Sequence, residues 1–184
     1  MALTPSSMIP LGTLAPDFSL LDAVSEKIIS LYDIKSPIAT VVMFICNHCP
    51  FVQHIQDKLV AVANHYQRKG IVFVAINAND AEHYVQDAPD KMKIRAAEKH
   101  FPFPYLFDET QQVAKNYHAE CTPDFFVFDG ALACIYRGQF DSTRPKANTP
   151  ATGQDLCDAL DAVLSGKKVS ADQKPSIGCN IKWK

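Results

Sequence analysis

Residues 38–50 read Ile38-Ala39-Thr40-Val41-Val42-Met43-Phe44-Ile45-Cys46-Asn47-His48-Cys49-Pro50. The first eight are nearly all apolar and rich in β-branched side chains, the pattern of a strand covered on both faces. Two cysteines follow at C-x-x-C spacing, and then the period changes. Phe51, Ile55, Leu59, Val62 and Tyr66 are spaced 4, 4, 3 and 4, one apolar stripe along a helix over residues 50–69. Pro50 suits the first turn, where no intrahelical N–H is needed, and Gly70 is a good stop. A buried strand thus delivers a dithiol to a helix N-terminus.

Outward from this unit, residues 71–76 form a second buried strand, followed by the loop Asn77-Ala78-Asn79-Asp80. A strand–helix–strand passage on buried strands predicts a parallel pair with a right-handed crossover. Residues 90–100 and 110–117 read as helices, with a short extended piece at 105–107. Residues 124–129 and 132–137 read as two strands around a tight turn at Gly130, hence an antiparallel pair. Residues 152–164 form a last amphipathic helix with Leu156, Leu160, Val163 and Leu164 inward. On the N-terminal side, alternation over residues 14–20 and 27–31 predicts two short strands. The expected fold is α/β: one domain over residues 1–184, a mixed central sheet with helices on both faces, an N-terminal β-extension and a C-terminal tail at 170–184.

At C-x-x-C spacing the sulfurs can close into a small disulfide ring without backbone rearrangement. The partial positive charge of a helix N-terminus favours thiolate on the first sulfur. The reading makes Cys46 an exposed nucleophile and Cys49 a more buried resolving thiol. Half a zinc site is the competing account. It lacks a second ligand pair, because Cys121, Cys134, Cys157 and Cys179 form no further C-x-x-C. No metal is expected. His48, directly before the second cysteine, would favour the Cys46 thiolate; the bland alternative is an exposed histidine without effect. Thr122-Pro123 stands just before a strand, where a cis bond can occur, and would pack on the C-x-x-C turn and offer backbone to an extended substrate.

These residues together resemble the thioredoxin superfamily. Pro10-Leu11-Gly12 and Ala15-Pro16-Asp17-Phe18 are similar to the N-terminal extension of its peroxiredoxin-like and TlpA-like (AhpC/TSA, redoxin) branch. Cys121-Thr122-Pro123-Asp124-Phe125-Phe126 and the tail Ser176-Ile177-Gly178-Cys179-Asn180-Ile181-Lys182-Trp183-Lys184 look like a little-characterised bacterial thioredoxin-family subgroup. The resemblance implies a thiol-disulfide oxidoreductase using a redox-active Cys46–Cys49 disulfide. It implies no bound cofactor, an external thiol reductant, and a disulfide-containing protein or small thiol as substrate.

The departures carry expectations of their own. Thioredoxin has Trp before its first cysteine; here Ile45 stands there. Thioredoxin's buried proton-transfer Asp is replaced by Thr40, which cannot titrate. Asp80, on a loop leaving the C-terminal end of a parallel strand, is the candidate substitute, although a solvated loop acid is the plainer reading. Peroxiredoxins carry P-x-x-x-T/S-x-x-C, and with Cys49 in the last place the Pro and Thr places are Val42 and Cys46. That weakens a thiol peroxidase reading, which stands as the runner-up. A non-enzymatic interaction or metal-binding module is the third. Cys121 and Cys179 are candidate accessory redox thiols, with small buried packing residues as the alternative. Trp183 offers the tail an apolar anchor.

Composition sets the outer bounds. The chain has 184 residues, 47% hydrophobic and 21% charged, with a net charge of −2. That gives no electrostatic footprint for nucleic acid or an acidic membrane surface. Residues 1–10 lack a basic start and an unbroken apolar run, and nothing approaches ~18 consecutive apolar residues. The expected compartment is the cytoplasm, where six cysteines stay mostly reduced.

Overall fold

The computed structural model describes residues 3–146 and 149–184; the first two residues of the stretch read for an export signal lie outside it. A seven-stranded sheet runs β3-β2-β6-β5-β4-β8-β9. Its strands are β2 (Ser19–Asp22), β3 (Ile28–Ser30), β4 (Ala39–Phe44), β5 (Val72–Asn77), β6 (Tyr105–Phe107), β8 (Asp124–Asp129) and β9 (Cys134–Gly138). β4 lies inside it, parallel to β5 and antiparallel to β8. All six residues of β4 are buried, as a strand covered on both faces requires.

The alternation of β4 divides the core. Val41 and Met43 point to the side of α2 (Pro50–Gln67), α3 (Pro89–Glu98) and α5 (Gln154–Leu164). There they join Val52, Ile55, Leu59, Met92, Leu156 and Leu160. Val42 and Phe44 point the other way, to Leu31 of α1 (Leu31–Ile34) and to Val113 and Ala114 of α4 (Gln112–Asn116). The expected mixed sheet with helices on both faces is present. The α2 stripe is buried as read at Ile55, Leu59, Val62 and Tyr66, but its first turn rolls so that Val52 is buried and Phe51 only partly so. α1 was not legible: Ser30 ends β3 and caps the helix through a reciprocal bond with Asp33.

A second sheet departs from the reading of the chain ends. β1 (Leu3–Pro5), β10 (Ile177–Asn180) and β7 (Cys121–Thr122) form three antiparallel strands in the order β1-β10-β7. The tail is therefore a central strand, with Cys179 opposite both Leu3 and Thr122. Its anchor is Ile181, 1% exposed, whereas Trp183 is 38% exposed. The reason is backbone pairing. The Ile181 amide donates to Glu120, the Lys182 amide to Asn79 Oδ1 and the Asp80 amide to Lys182, which settles the tail by main-chain bonds. No helix of the described residues is long and apolar enough to cross a membrane.

Candidate active site

β4 ends at Phe44 and α2 begins at Pro50, with Cys49 in an extended conformation as its N-cap. The C-x-x-C turn so formed meets the Thr122–Pro123 bond, which is cis. Cys46 Sγ lies 3.4 Å from Thr122 Oγ1, and Cys49 Sγ donates to the Thr122 carbonyl at 3.2 Å. Cys46, Cys49 and Cys179 lie in one buried cluster, with Cys179 opposite Thr122 on the neighbouring strand.

The expected exposure of Cys46 is not found. Cys46 is 1% and Cys49 0% exposed, because the turn is roofed by the loop after β5 on one side and by the tail strand on the other. The thiolate preference also moves. Two thiols, Cys179 and Cys46, donate towards Cys49 and pull its pKa down. The bond to Cys49, burial and the nearby Asp87 charge push the Cys46 thiol up. Of the two, ionisation is therefore easier at Cys49 than at Cys46, and it gives up the bond to the Thr122 carbonyl.

His48 does not stand in solvent. Its Nδ1 lies 2.5 Å from Asp87 Oδ2, and its ring stacks on Tyr84 with centroids 5.4 Å apart. Asp87 is fully buried at the end of a single 3₁₀ turn, Val85–Asp87. Its Oδ1 accepts the Asn47 amide at 2.8 Å and its Oδ2 accepts Asn79 Nδ2 at 2.8 Å. Asn47 is clamped further by Gln86, Gln53, Arg95 and Tyr105. Donor atoms of Cys46, His48 and Asp87 all lie within 4.8 Å of one another, enough to touch one divalent ion. The three also serve as a thiol with a His–carboxylate pair beside it.

Asp87 is the functional residue that sequence reading missed. The topological argument pointed to the loop after β5, and it settled on Asp80. That carboxylate instead holds His83 at 2.5 Å and the Glu82 amide at 3.0 Å. Asp87, seven residues on, is the acid brought to the cysteines. Thr40 is fully buried and accepts the Ser36 amide at 2.9 Å, a role in the strand entry. The only available signal for Asp87 was that loop's position at the carboxyl end of β5.

The other expected residues divide. Thr122 and Pro123 pack on the dithiol, but the Thr122 edge is already paired with β10 and is not open to an extended substrate. Cys121 is fully buried, its Sγ 3.9 Å from the Pro123 carbonyl, and burial pushes its thiol up. Cys134 is likewise buried, bonded to the Tyr136 carbonyl, and pushed up to about 11 by burial. An exposed approach remains on the far side: a cleft lined by Asn47, His48, Gln53, Val85, Ile94 and Arg95.

The fold is shared closely by two solved structures. A conserved protein of Geobacillus kaustophilus without assigned function is 56% identical, with a TM-score of 0.98 over 100% of this chain and 97% of that one. A hypothetical protein of Sinorhizobium meliloti is 45% identical, with a TM-score of 0.95 over 98% of each chain. A thioredoxin-family thiol:disulfide interchange protein of Chlorobium tepidum shares the fold at 20% identity, TM-score 0.62, over 85% of this chain and 99% of that one. No curated protein matches the chain. The AhpC/TSA family profile matches residues 11–134, about two thirds of the chain, and the chain belongs to that family, in the redoxin branch of the thioredoxin superfamily.

Proposed function

We propose that the protein is a thiol-disulfide oxidoreductase working through Cys46 and Cys49. The observation that carries this reading is a C-x-x-C pair at a strand–helix junction with both sulfurs in contact with Thr122, beside its cis bond to Pro123. A substrate disulfide enters by the cleft beside His48. The Cys46 sulfur attacks it, a Cys46–substrate disulfide forms, and the first substrate sulfur leaves as thiolate with the electron pair. Cys49 thiolate then attacks Cys46, the Cys46–Cys49 bond forms, and the second substrate sulfur leaves. Substrate is reduced by two electrons and the protein oxidised by two. The His48–Asp87 pair carries the proton that Cys46 must give up. An external thiol returns the electrons, and no bound cofactor enters the cycle. A reducing cytoplasm suits a protein that works as a dithiol.

The test is mixing the reduced protein with oxidised glutathione, followed by mass mapping. A Cys46–Cys49 disulfide and released glutathione are the expected products. Cys49→Ser should trap glutathione on Cys46, and Cys46→Ser should abolish turnover. Trapping on Cys49 alone would reverse the two roles, and no disulfide at all would overturn the reading.

A second reading draws on the thiolate preference at Cys49, the place that resembles the peroxidatic cysteine. There a hydroperoxide would be cut to an alcohol or water, leaving Cys49 sulfenic acid, which condenses with Cys46 and loses water. With Val42 and Cys46 in the Pro and Thr places, peroxide turnover should be slow beside disulfide reduction. A peroxide rate constant equal to that for disulfides would promote this reading.

A further inference from the structure

Six cysteines lie in this chain, and three of them meet. Cys46, Cys49 and Cys179 are buried in one cluster, and both neighbours act on the electrostatics of Cys49. The third thiol is brought there by the fold of the tail. β10 runs antiparallel to β7 with Cys179 opposite Thr122, and the Thr122 carbonyl is the group that accepts the Cys49 thiol. Gly178 makes the approach possible: a β-carbon there would stand 2.0 Å from the Thr122 carbonyl oxygen. β1 closes the other edge through Leu3, Thr4 and Pro5. Beyond the strand, the Lys182 carbonyl accepts both the Asp80 amide and Gln111 Nε2. Cys179 is 2% exposed and held in place from both sides.

A packing role alone needs no sulfur neighbour. Cys121 and Cys134 show what such a role looks like, each directed to a backbone carbonyl. Cys179 lies in one cluster with Cys46 and Cys49, the two sulfurs of the proposed disulfide.

We propose that Cys179 is a third redox thiol that exchanges with the oxidised active-site pair. The inference rests on the reading of Cys46 and Cys49 as the working dithiol. The Cys179 thiolate attacks Cys49 of the Cys46–Cys49 disulfide. The Cys49–Cys179 bond forms, the Cys46–Cys49 bond breaks, and Cys46 leaves as thiolate with the electron pair. The proton given up by Cys179 passes to Cys46, so the exchange is neutral in electrons and protons. The oxidised state then sits on two sulfurs under the tail strand, and Cys46 is again a thiol beside His48. Because β10 fills the Thr122 edge, the tail strand occupies the place where an extended substrate would pair and supplies its own cysteine there.

The test uses the full chain, reduced and then oxidised with a limiting amount of oxidised glutathione. Remaining thiols are alkylated in acid and the protein is digested without reduction. The expected result is two disulfide forms, Cys46–Cys49 and Cys49–Cys179, the second carrying an alkylated Cys46. In Cys179→Ser the alkylated Cys46 of the oxidised protein should be lost, while Cys46–Cys49 still forms. In Cys46→Ser, which lacks the nucleophile for glutathione, oxidation by diamide should link Cys49 to Cys179. Wild-type protein yielding Cys46–Cys49 alone overturns the exchange and leaves the oxidoreductase reading intact. Wild-type protein yielding no disulfide among Cys46, Cys49 and Cys179 overturns both. The wild-type map decides even where a variant fails to fold.

Discussion

The carboxylate of Asp87 lies 2.5 Å from the imidazole of His48, although 39 residues separate them, and its other oxygen holds the amide of Asn47. A fully buried acid is thus bonded to two consecutive residues of the C-x-x-C turn. It sits close enough to Cys46 to oppose a second negative charge there. The pair places an imidazole and a carboxylate beside Cys46 and also restrains the turn.

Replacing Asp87 with Asn removes that charge. In a Cys49→Ser background, where Cys46 titrates without its partner, Asp87→Asn should move the Cys46 alkylation profile to lower pH. The sign follows from the repulsion between carboxylate and thiolate. A profile that stays in place would assign Asp87 to holding the turn alone.

His48→Pro leaves the Asp87 carboxylate without its imidazole partner. The thiolate form is then less favoured relative to the disulfide, and the reduction potential should fall, by about 30 mV for each ~1.4 kcal/mol of lost stabilisation. Equilibration against a glutathione redox buffer measures it. An unchanged potential would mean that the imidazole has no electrostatic hold on the dithiol.

Gly178→Ala tests the tail strand without removing a thiol. Its new methyl meets the Thr122 carbonyl, which is backbone and cannot move aside cheaply. The expected outcome is a loss of stability of about 1–3 kcal/mol. Cys49 alkylation should be faster as well, since β10 roofs that sulfur. Lower melting with unchanged Cys49 reactivity would show that the strand does not shield it.

Asp124 gives a pH signature. It is fully buried, with Oδ2 making no hydrogen bond, and burial pushes its carboxyl up to about 8. The unfolded chain releases that proton near ~3.9. Between these values the folded state holds the extra proton, so stability from this group is full at low pH and is lost as pH rises through about 8. Asp124→Asn should flatten the decline of melting temperature across that window. Parallel wild-type and variant profiles would rule out Asp124 as its source.

How much of this was legible follows from where each signal is stored. Ile38 to Ile45, the α2 stripe and the cysteine pair are local patterns. Burial on both faces, a 3.6 period and a C-x-x-C spacing can each be read from neighbours in the chain. They carried the α/β class, the order of the main elements, the parallel β4–β5 pair and the position of the dithiol. Helices on both faces followed from β4 being apolar at every position but Thr40.

The rest depends on residues that meet only in three dimensions. Asp87 and Asp80 sit on one loop and are chemically alike in sequence. One 3₁₀ turn and the bonds from Asn47 and Asn79 decide that Asp87 reaches the cysteines. The tail reads as a run of breakers and small residues, because four residues of β10 have no alternation long enough to mark a strand. Its pairing with β1 and β7 joins the two ends of the chain to the Thr122 edge. That pairing brings Cys179 into the buried cluster of Cys46 and Cys49. By itself the sequence determined where the C-x-x-C pair stands, between a buried strand and a helix. Tertiary structure decided which side chains meet it, since proton sharing among thiols depends on contacts of a few ångströms that no spacing along a chain encodes.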